Sequence, residues 1–389
     1  MLADAVPIYP LYALLFADTG LSEGQISALF TIWSATAILA EVPTGVLADR
    51  FSRRASLVAA GLLQAAGYAG WALSPGFAGY AGGFVLWGVG GALVSGAFEA
   101  LLYDGLAAAG ARDNYASVLG RVSAAGLVGQ LPAAGAATVL FAAGGFRLVT
   151  WVSVGCCLAA AGLATRLPEA PSAATIGEDD DAEVGFLATL RAGLGEIGVR
   201  PTVRRAVLAV AILSGVDAID EYTPLLARDW GVPTALNPLA TLAIPLVGAA
   251  GAALGGAAVR LGNRRLALVL GLAALTLGAA GVLRRPSGLA AVAAFYGLYQ
   301  LVLVVADARL QERIDTASRA TVASVAGLGT EVSVFGLYAA WAAGGVIVIA
   351  ALVLVLAAAV PYLLRTSGRG RSGPRAGAWR RPGRPAGRT

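Results

Sequence analysis

The 389-residue chain contains no histidine, no lysine and only two cysteines, and charged residues make up 13% of it. Each shortage removes a class of chemistry. Zinc sites built on imidazole, Ser-His-Asp and Cys-His nucleophile systems, Schiff-base lysines and histidine-held haem all need side chains that are missing. Cys156 and Cys157 are adjacent inside an apolar run, poorly placed for a disulfide, and no CxxC exists, so they read as small core thiols. No enzyme, metal site or cofactor is expected. Soluble domains carry roughly 25% charged residues. With 58% apolar residues, a water-soluble fold could not hide its own side chains, because single cores stop growing at about 250–300 residues. The composition points to an all-α polytopic membrane protein.

A spanning helix takes about 20 mainly apolar residues. Such runs lie at 24–47, 55–74, 77–103, 115–143, 146–165, 203–227, 235–259, 265–283, 287–308, 318–342 and 345–364, with Gly344-Gly345 splitting the last long apolar stretch. Residues 2–17 supply a twelfth segment containing Asp4, Pro7 and Pro10. Its sixteen residues reach only about 24 Å, short of a hydrocarbon core of about 30 Å. It lacks the basic start and small-residue cleavage site of a signal peptide, and reads as a first helix short of its N-terminal turns.

All 28 basic residues are arginine, and arginines concentrate in cytoplasmic loops. With the first span exiting outward, 24 fall inside and four (Arg147, Arg228, Arg284 and Arg285) outside. That puts both termini in the cytoplasm, in a multi-pass protein of the plasma membrane. Trp71, Trp151, Trp230 and Trp341 then sit at the outer interface, as an aromatic belt would. The expected organisation is an N-terminal six-helix half (1–165), a cytoplasmic linker (166–202), a C-terminal six-helix half (203–364) and a basic disordered tail (365–389). The run Glu178-Asp179-Asp180-Asp181 reads as a solvated part of the linker. The tail can touch anionic lipid heads, and no nucleic-acid partner is expected.

Two inside loops resemble each other at an offset of 210 residues. One reads Gly45-Val-Leu-Ala-Asp49-Arg50-Phe-Ser-Arg53-Arg54, the other Gly255-Gly-Ala-Ala-Val259-Arg260-Leu-Gly262-Asn-Arg264-Arg265. At these residues the chain resembles the major facilitator superfamily, whose signature loop is G-x-x-x-D-R-x-G-R-R. Ser52 stands where Gly is usual, and Val259 replaces the acid in the second copy. The resemblance implies about twelve transmembrane helices in two six-helix halves related by an axis along the membrane normal. It also implies a cytoplasmic gating latch at Gly45, Asp49, Arg50, Arg53, Arg54, Arg260 and Arg264. The alternative for these arginines is topology anchoring alone. The fifth span carries Gly126, Gly129, Pro132 and Gly135, similar to the Gly/Pro-rich motif of the family's drug:proton antiporters, with Leu131 ahead of the Pro. Small residues at this spacing also simply let helices approach closely. Trp87 lies about where those antiporters usually carry a fourth-span Arg.

Ionisable groups at membrane depth are functional candidates by default. Glu331 is thirteen residues into the eleventh span, about 20 Å deep. Asp217 is similarly placed in the seventh, followed by Asp220 and Glu221. Glu41, Glu99 and Asp4 complete the proton-coupling candidates. Asp104 can pair with Arg112 or Arg121, and Asp307 with Arg309 or Arg313. Carboxyls without a basic partner at their own depth can take and release protons, the minimum chemistry for coupling. Trp33, Trp87, Tyr222 and Tyr299 serve either as packing or as walls of a substrate cavity. The expectation is a secondary active transporter that exports small amphipathic compounds, such as drugs or secondary metabolites, by alternating access coupled to protons. Nutrient uptake within the same superfamily, or a receptor role on this fold, is the alternative. The expected partners are a small-molecule substrate, protons and the lipid bilayer, with no oligomer required.

Overall fold

A computed structural model describes residues 6–50, 52–111, 114–167, 200–314 and 319–365. A 3-10 turn, Tyr9–Leu11, leads into α1 (Tyr12–Asp18), followed by α2 (Glu23–Arg50), α3 (Arg53–Leu73), α4 (Phe77–Ala108) and α5 (Tyr115–Ala164). The second part begins with α6 (Pro201–Val216), a 3-10 stretch Asp217–Tyr222 and α7 (Thr223–Asp229). After a 3-10 turn (Thr234–Leu236) come α8 (Asn237–Thr241), α9 (Ala243–Ala258), α10 (Asn263–Leu283), α11 (Gly288–Gln311) and α12 (Arg319–Leu363). No strand occurs among the described residues.

Seven of these helical stretches are long and apolar enough to cross a membrane. Two of the seven, in α5 and α12, are pairs of helices broken at a double glycine. Gly144 and Gly145 adopt φ/ψ of −156°/19° and 60°/−160°; Gly344 and Gly345 adopt −177°/21° and 60°/−149°. The positive φ of the second glycine in each pair is a conformation that side chains resist, so the same two-residue device ends the fifth and eleventh spans. Counting both limbs of each broken helix, and adding the short first helix, α2 and the interrupted α6–α7 stretch, gives the twelve expected segments.

The segments sort into two halves. In the first, α3 packs on α4 and α5, and α2 on α4; in the second, α9 packs on α11, α10 on α11 and α12, and α6 on α11 and α12. The halves meet where α2 lies along α12, α5 along α8, and α1 against α7. The short first helix is held in the core. Ile8, Leu11, Leu14 and Phe16 are 0–1% exposed, and the Ile8 backbone N–H donates to Ser153 Oγ at 3.0 Å. Expectations for the linker between 168 and 199, and for the tail beyond 365, lie outside the described residues.

One expectation about the tryptophans is corrected. Trp151 is 41% exposed, but Trp71, Trp230 and Trp341 are only 2–4% exposed. Trp71 packs among Phe16, Tyr68 and Phe84, with ring centroids 5.0–5.1 Å away. Trp341 stacks on Tyr222 at 4.1 Å. Position along a span sets the height of a side chain in the bilayer; which face of the helix it occupies decides whether it meets lipid or protein.

Close helix approach is enforced by glycine in the second half. A Cβ on Gly251 would collide with the carbonyl of Gly297, joining α9 to α11 with no space between backbones, whereas a Cβ on Gly256 would meet nothing within 4 Å. Gly251→Ala is therefore expected to destabilise the protein by about 1–3 kcal/mol through overpacking, despite a helix-propensity gain of about 1 kcal/mol. Gly256→Ala is expected to be neutral or stabilising. Thermal unfolding of the two variants in detergent checks the contrast.

Candidate functional site

The seventh span is the local origin of the site. Pro224 has no N–H to give and its ring crowds the carbonyl four residues earlier, which disfavours a continuous α-helix. The chain responds with the 3-10 stretch Asp217–Tyr222 between α6 and α7. Its freed backbone groups are met by side chains. Thr223 Oγ1 donates to the Asp220 carbonyl at 2.8 Å, Asn237 Nδ2 to the Pro224 carbonyl at 2.9 Å, and the Tyr299 hydroxyl to the Leu213 carbonyl at 2.7 Å. Irregular backbone at membrane depth survives only where protein or water satisfies it. Here three acids, Asp217, Asp220 and Glu221, ride on it.

The acids separate into two settings. Asp217 Oδ1 accepts from the Tyr296 hydroxyl at 2.6 Å and from Gln300 Nε2 at 2.8 Å, both on α11. Asp220 and Glu221 line a cavity of about 80 Å³ on the seam between the halves. The first half contributes Tyr9, Tyr12, Gln130, Ala133 and Ala134 to its wall, and the second Pro238 and Thr241. Among the described residues no arginine lines it. Tyr9 is the neighbour of the Glu221 carboxyl.

A fourth carboxyl crosses the seam itself. Ser34 on α2 donates to Glu331 Oε2 on α12 at 2.6 Å. Towards the α2 N-terminus the same seam is closed by rings: Phe30 lies 5.4 Å from Tyr222 and 5.6 Å from Tyr338, and Ser27 Oγ is 2.7 Å from the Tyr222 hydroxyl. Tyr222 is thus held between Phe30 and Trp341 and is fully buried.

At the arginine-rich end each half carries an equivalent tie. Arg53, at the start of α3, pairs with Asp104 near the end of α4 and donates to the Ala100 carbonyl. Arg309, near the end of α11, reaches Asn263 Oδ1 at the start of α10 and the carbonyl of Leu261. Position 263 is the 210-residue repeat of position 53, so the cation has changed sides while the contact is kept. Arg313 donates to the carbonyls of Thr202 and Leu364 at 3.3 and 2.7 Å. The expected pairing of Asp104 with Arg121 is corrected: Arg121 donates to Ser117 Oγ, and Arg112 lies outside the described residues. Arg309 and Arg313 likewise hold loop and helix-end groups where pairing with Asp307 was expected, and Asp307 is exposed. Sequence neighbours were the wrong place to look, because helix ends from distant segments meet there.

The other expected residues divide clearly. Glu41 and Glu99 are exposed and lie outside the cavity wall. Asp4 and the side chains of Gly45, Asp49 and Arg50 are outside the described residues, while Arg54, Arg260 and Arg264 are exposed. Trp33 and Trp87 pack edge to face at 5.0 Å within the first half. Tyr299 is buried against Phe295. None of Trp33, Trp87, Tyr222 and Tyr299 lines the cavity. In the fifth span Gly126 and Gly129 are half-buried, Pro132 is exposed, and a Cβ on Gly135 would meet nothing within 4 Å. The face turned to the cavity is Gln130, Ala133 and Ala134 instead. Tyr9, Tyr12, Ser34, Gln130 and Gln300 went unselected from sequence. A lone polar residue in an apolar run marks a buried contact, and Gln130 carried that signal.

Two helical halves with carboxyls on their seam are the architecture of parallel-repeat secondary transporters. Residues 1–350 match the model of the Major Facilitator Superfamily, and the chain belongs to that superfamily. Among solved structures, the nucleoside transporter NupG is similar with a TM-score of 0.74 at 12% identity, covering 94% of this chain and 97% of its own. A D-xylose-proton symporter gives 0.66 at 17%, covering 93% and 94%. A peptide transporter in complex with alafosfalin gives 0.67 at 15%, covering 93% and 92%. At these identities the likeness is one of fold. No curated protein matches the chain in sequence.

The ring closure yields a test. Tyr222→Phe keeps the stacking on Trp341 and removes the hydrogen bond to Ser27, a loss of about 1 kcal/mol. The expected result is a several-fold larger population separated at this end. Electron–electron distance measurements between spin labels at Leu73 and Leu283, in a background lacking Cys156 and Cys157, would show a new longer component. An unchanged distribution would mean the bond does not hold the seam.

Proposed function

We propose that the protein is a proton-coupled secondary transporter that exports small amphipathic compounds by rocking its two halves about the carboxylate-lined seam. The observation that carries this reading is Glu331, a carboxyl inside the eleventh span that accepts a hydrogen bond from a serine of the opposite half. An ionised carboxylate is an acceptor only, and strengthens the hydrogen bond it receives. A proton arriving at Glu331 weakens the Ser34 contact, and one leaving restores it. Proton occupancy is thereby linked to the contact between α2 and α12, which is what coupling requires.

The named cargoes of the similar structures, nucleosides, xylose and peptides, are chemically unlike one another, so the cargo is read from the wall. Acids, phenols and prolines with no arginine suit a neutral or cationic amphipath better than an anionic nutrient. The antiporter-like stretch Gly126–Gly135 supports the outward direction. The arginine-rich end, including Arg53, Arg260 and Arg309, faces the cytoplasm in this reading, with both termini there.

Protein in liposomes enclosing a pH-sensitive dye, under an imposed proton gradient, is expected to pass protons when lipophilic cations or neutral drugs are added. Glu331→Gln is expected to reduce that flux to the level of empty liposomes with its unfolding temperature unchanged. Normal gradient-driven transport by the variant would sink the assignment. In expressing cells, export lowers intracellular compound; accumulation would mean uptake.

A further inference from the structure

We propose that the seam cavity is a head-group subsite for a compact organic cation, an alkylammonium or guanidinium, bound by Asp220 and Glu221. The proposal rests on the transporter reading above and names the substrate class that reading leaves open. Three observations carry it. First, two carboxyls share one cavity wall without a basic side chain in that wall, and the chain has no lysine or histidine to supply one. Two acids in a low-dielectric setting stay ionised only with a positive charge between them, and otherwise take up protons. Second, Tyr12 is part of the same wall, is 5% exposed, and its hydroxyl has no hydrogen-bond partner in the structure. Buried hydroxyls are rarely left without one, and an ammonium N–H can donate to the Tyr12 hydroxyl oxygen. Third, the remaining wall is matched to the alkyl part: Pro10, Pro224, Pro238 and Pro245 with Ala133 and Ala134, and the Tyr9 and Tyr12 rings offer π faces to a cation.

Size narrows the class. About 80 Å³ compares with roughly 30 Å³ for a water molecule's share of liquid and about 150 Å³ for a cavity that binds benzene. The space admits a head group of a few heavy atoms and excludes a whole drug, whose body would lie outside this pocket along the seam. The pocket also draws its wall from both halves, α1 and α5 on one side and the α6–α7 region and α8 on the other. A cation bound there bridges the halves through charge, which a neutral ligand would not.

The test is equilibrium binding to the purified full chain in detergent, followed by ligand-observed NMR titration near neutral pH. Ethylammonium is the probe, with ethanol as its neutral counterpart and tetraethylammonium as an oversize cation. A three-heavy-atom ligand at the upper limit of efficiency binds with a Kd on the order of 1 mM. Saturable binding of ethylammonium, with neither ethanol nor tetraethylammonium competing, is expected. Glu221→Gln and Asp220→Asn should each weaken it about tenfold or more, and Tyr12→Phe about threefold, with unfolding temperatures showing that each variant is folded. Two acid variants are used so that one that fails to fold leaves the other to decide. Absence of saturable binding to folded wild-type protein overturns the proposal, as does an equal Kd in a folded acid variant or equal binding of ethanol. Binding needs no turnover, so the two readings fail separately. Acid-dependent binding without proton flux keeps the subsite and removes the transporter assignment. Flux driven by neutral compounds without ethylammonium binding does the reverse.

Discussion

The whole architecture answers to one constraint: within a bilayer every backbone N–H and C=O has to be satisfied by the protein itself. Continuous helices meet it automatically, and most of the chain is built from them. The seventh span does not, because Pro224 interrupts its ladder. What makes the interruption tolerable is its packing within the second half, where Thr223, Asn237 and Tyr299 supply hydrogen bonds to its carbonyls. A lipid-facing helix would have no such donors to call on. The irregular turn carries three acids, of which Asp217 turns to its own half and Asp220 and Glu221 face the cavity whose wall both halves share.

Duplication explains much of the remainder, and its departures from symmetry are informative. The double glycines at 144–145 and 344–345 share backbone conformations closely, as expected of turns that perform one task in both halves. The loop ties do not copy residue for residue. Arg53 with Asp104 in one half becomes Asn263 with Arg309 in the other. A contact between the start of one helix and the end of the next can be kept with its charge moved, because the geometry needs a donor facing an acceptor and not a particular order. The intramembrane acids depart further. Among the described residues the acids on the seam, Asp220, Glu221 and Glu331, all belong to the second half, so the charged chemistry described there is asymmetric while its framework is not.

The fold was legible in the sequence because its signals are long or repeated. Apolar runs of about twenty residues, a double glycine splitting a run, and arginines gathered at alternate loops all survive without knowledge of packing. Glu331 and the acids after Asp217 were legible for a related reason: a carboxyl inside an apolar run is conspicuous by composition. Partnerships were not. Ser34 and Glu331 are 297 residues apart, and Arg53 and Asp104 are 51 apart. Trp71 and Trp341 are buried where a lipid-facing belt was expected, since counting along a span gives height alone and facing depends on which neighbours the helix meets. Tyr12 reads as an ordinary member of an apolar run, and Gln130 signals a buried contact without naming its partners; only the fold brings these two first-half segments to one wall with the acids of the second.

Taken together, the carboxyls form stations of different character along one seam. Glu331 accepts from a hydroxyl of the opposite half, Asp217 is held within its own half by Tyr296 and Gln300, and Asp220 and Glu221 face a space. A group satisfied inside one half moves with that half and feels little of the other's motion. A group bonded across the seam loses or regains its partner whenever the halves separate, and so suits a proton that reports on the access state. A group facing a cavity built from both halves suits a ligand, since the cavity exists only while the halves are together. Separate residues let proton occupancy and the cavity respond to the halves independently: Glu331 lies on the α2–α12 contact, whereas Asp220 and Glu221 lie on the irregular stretch just before Pro224.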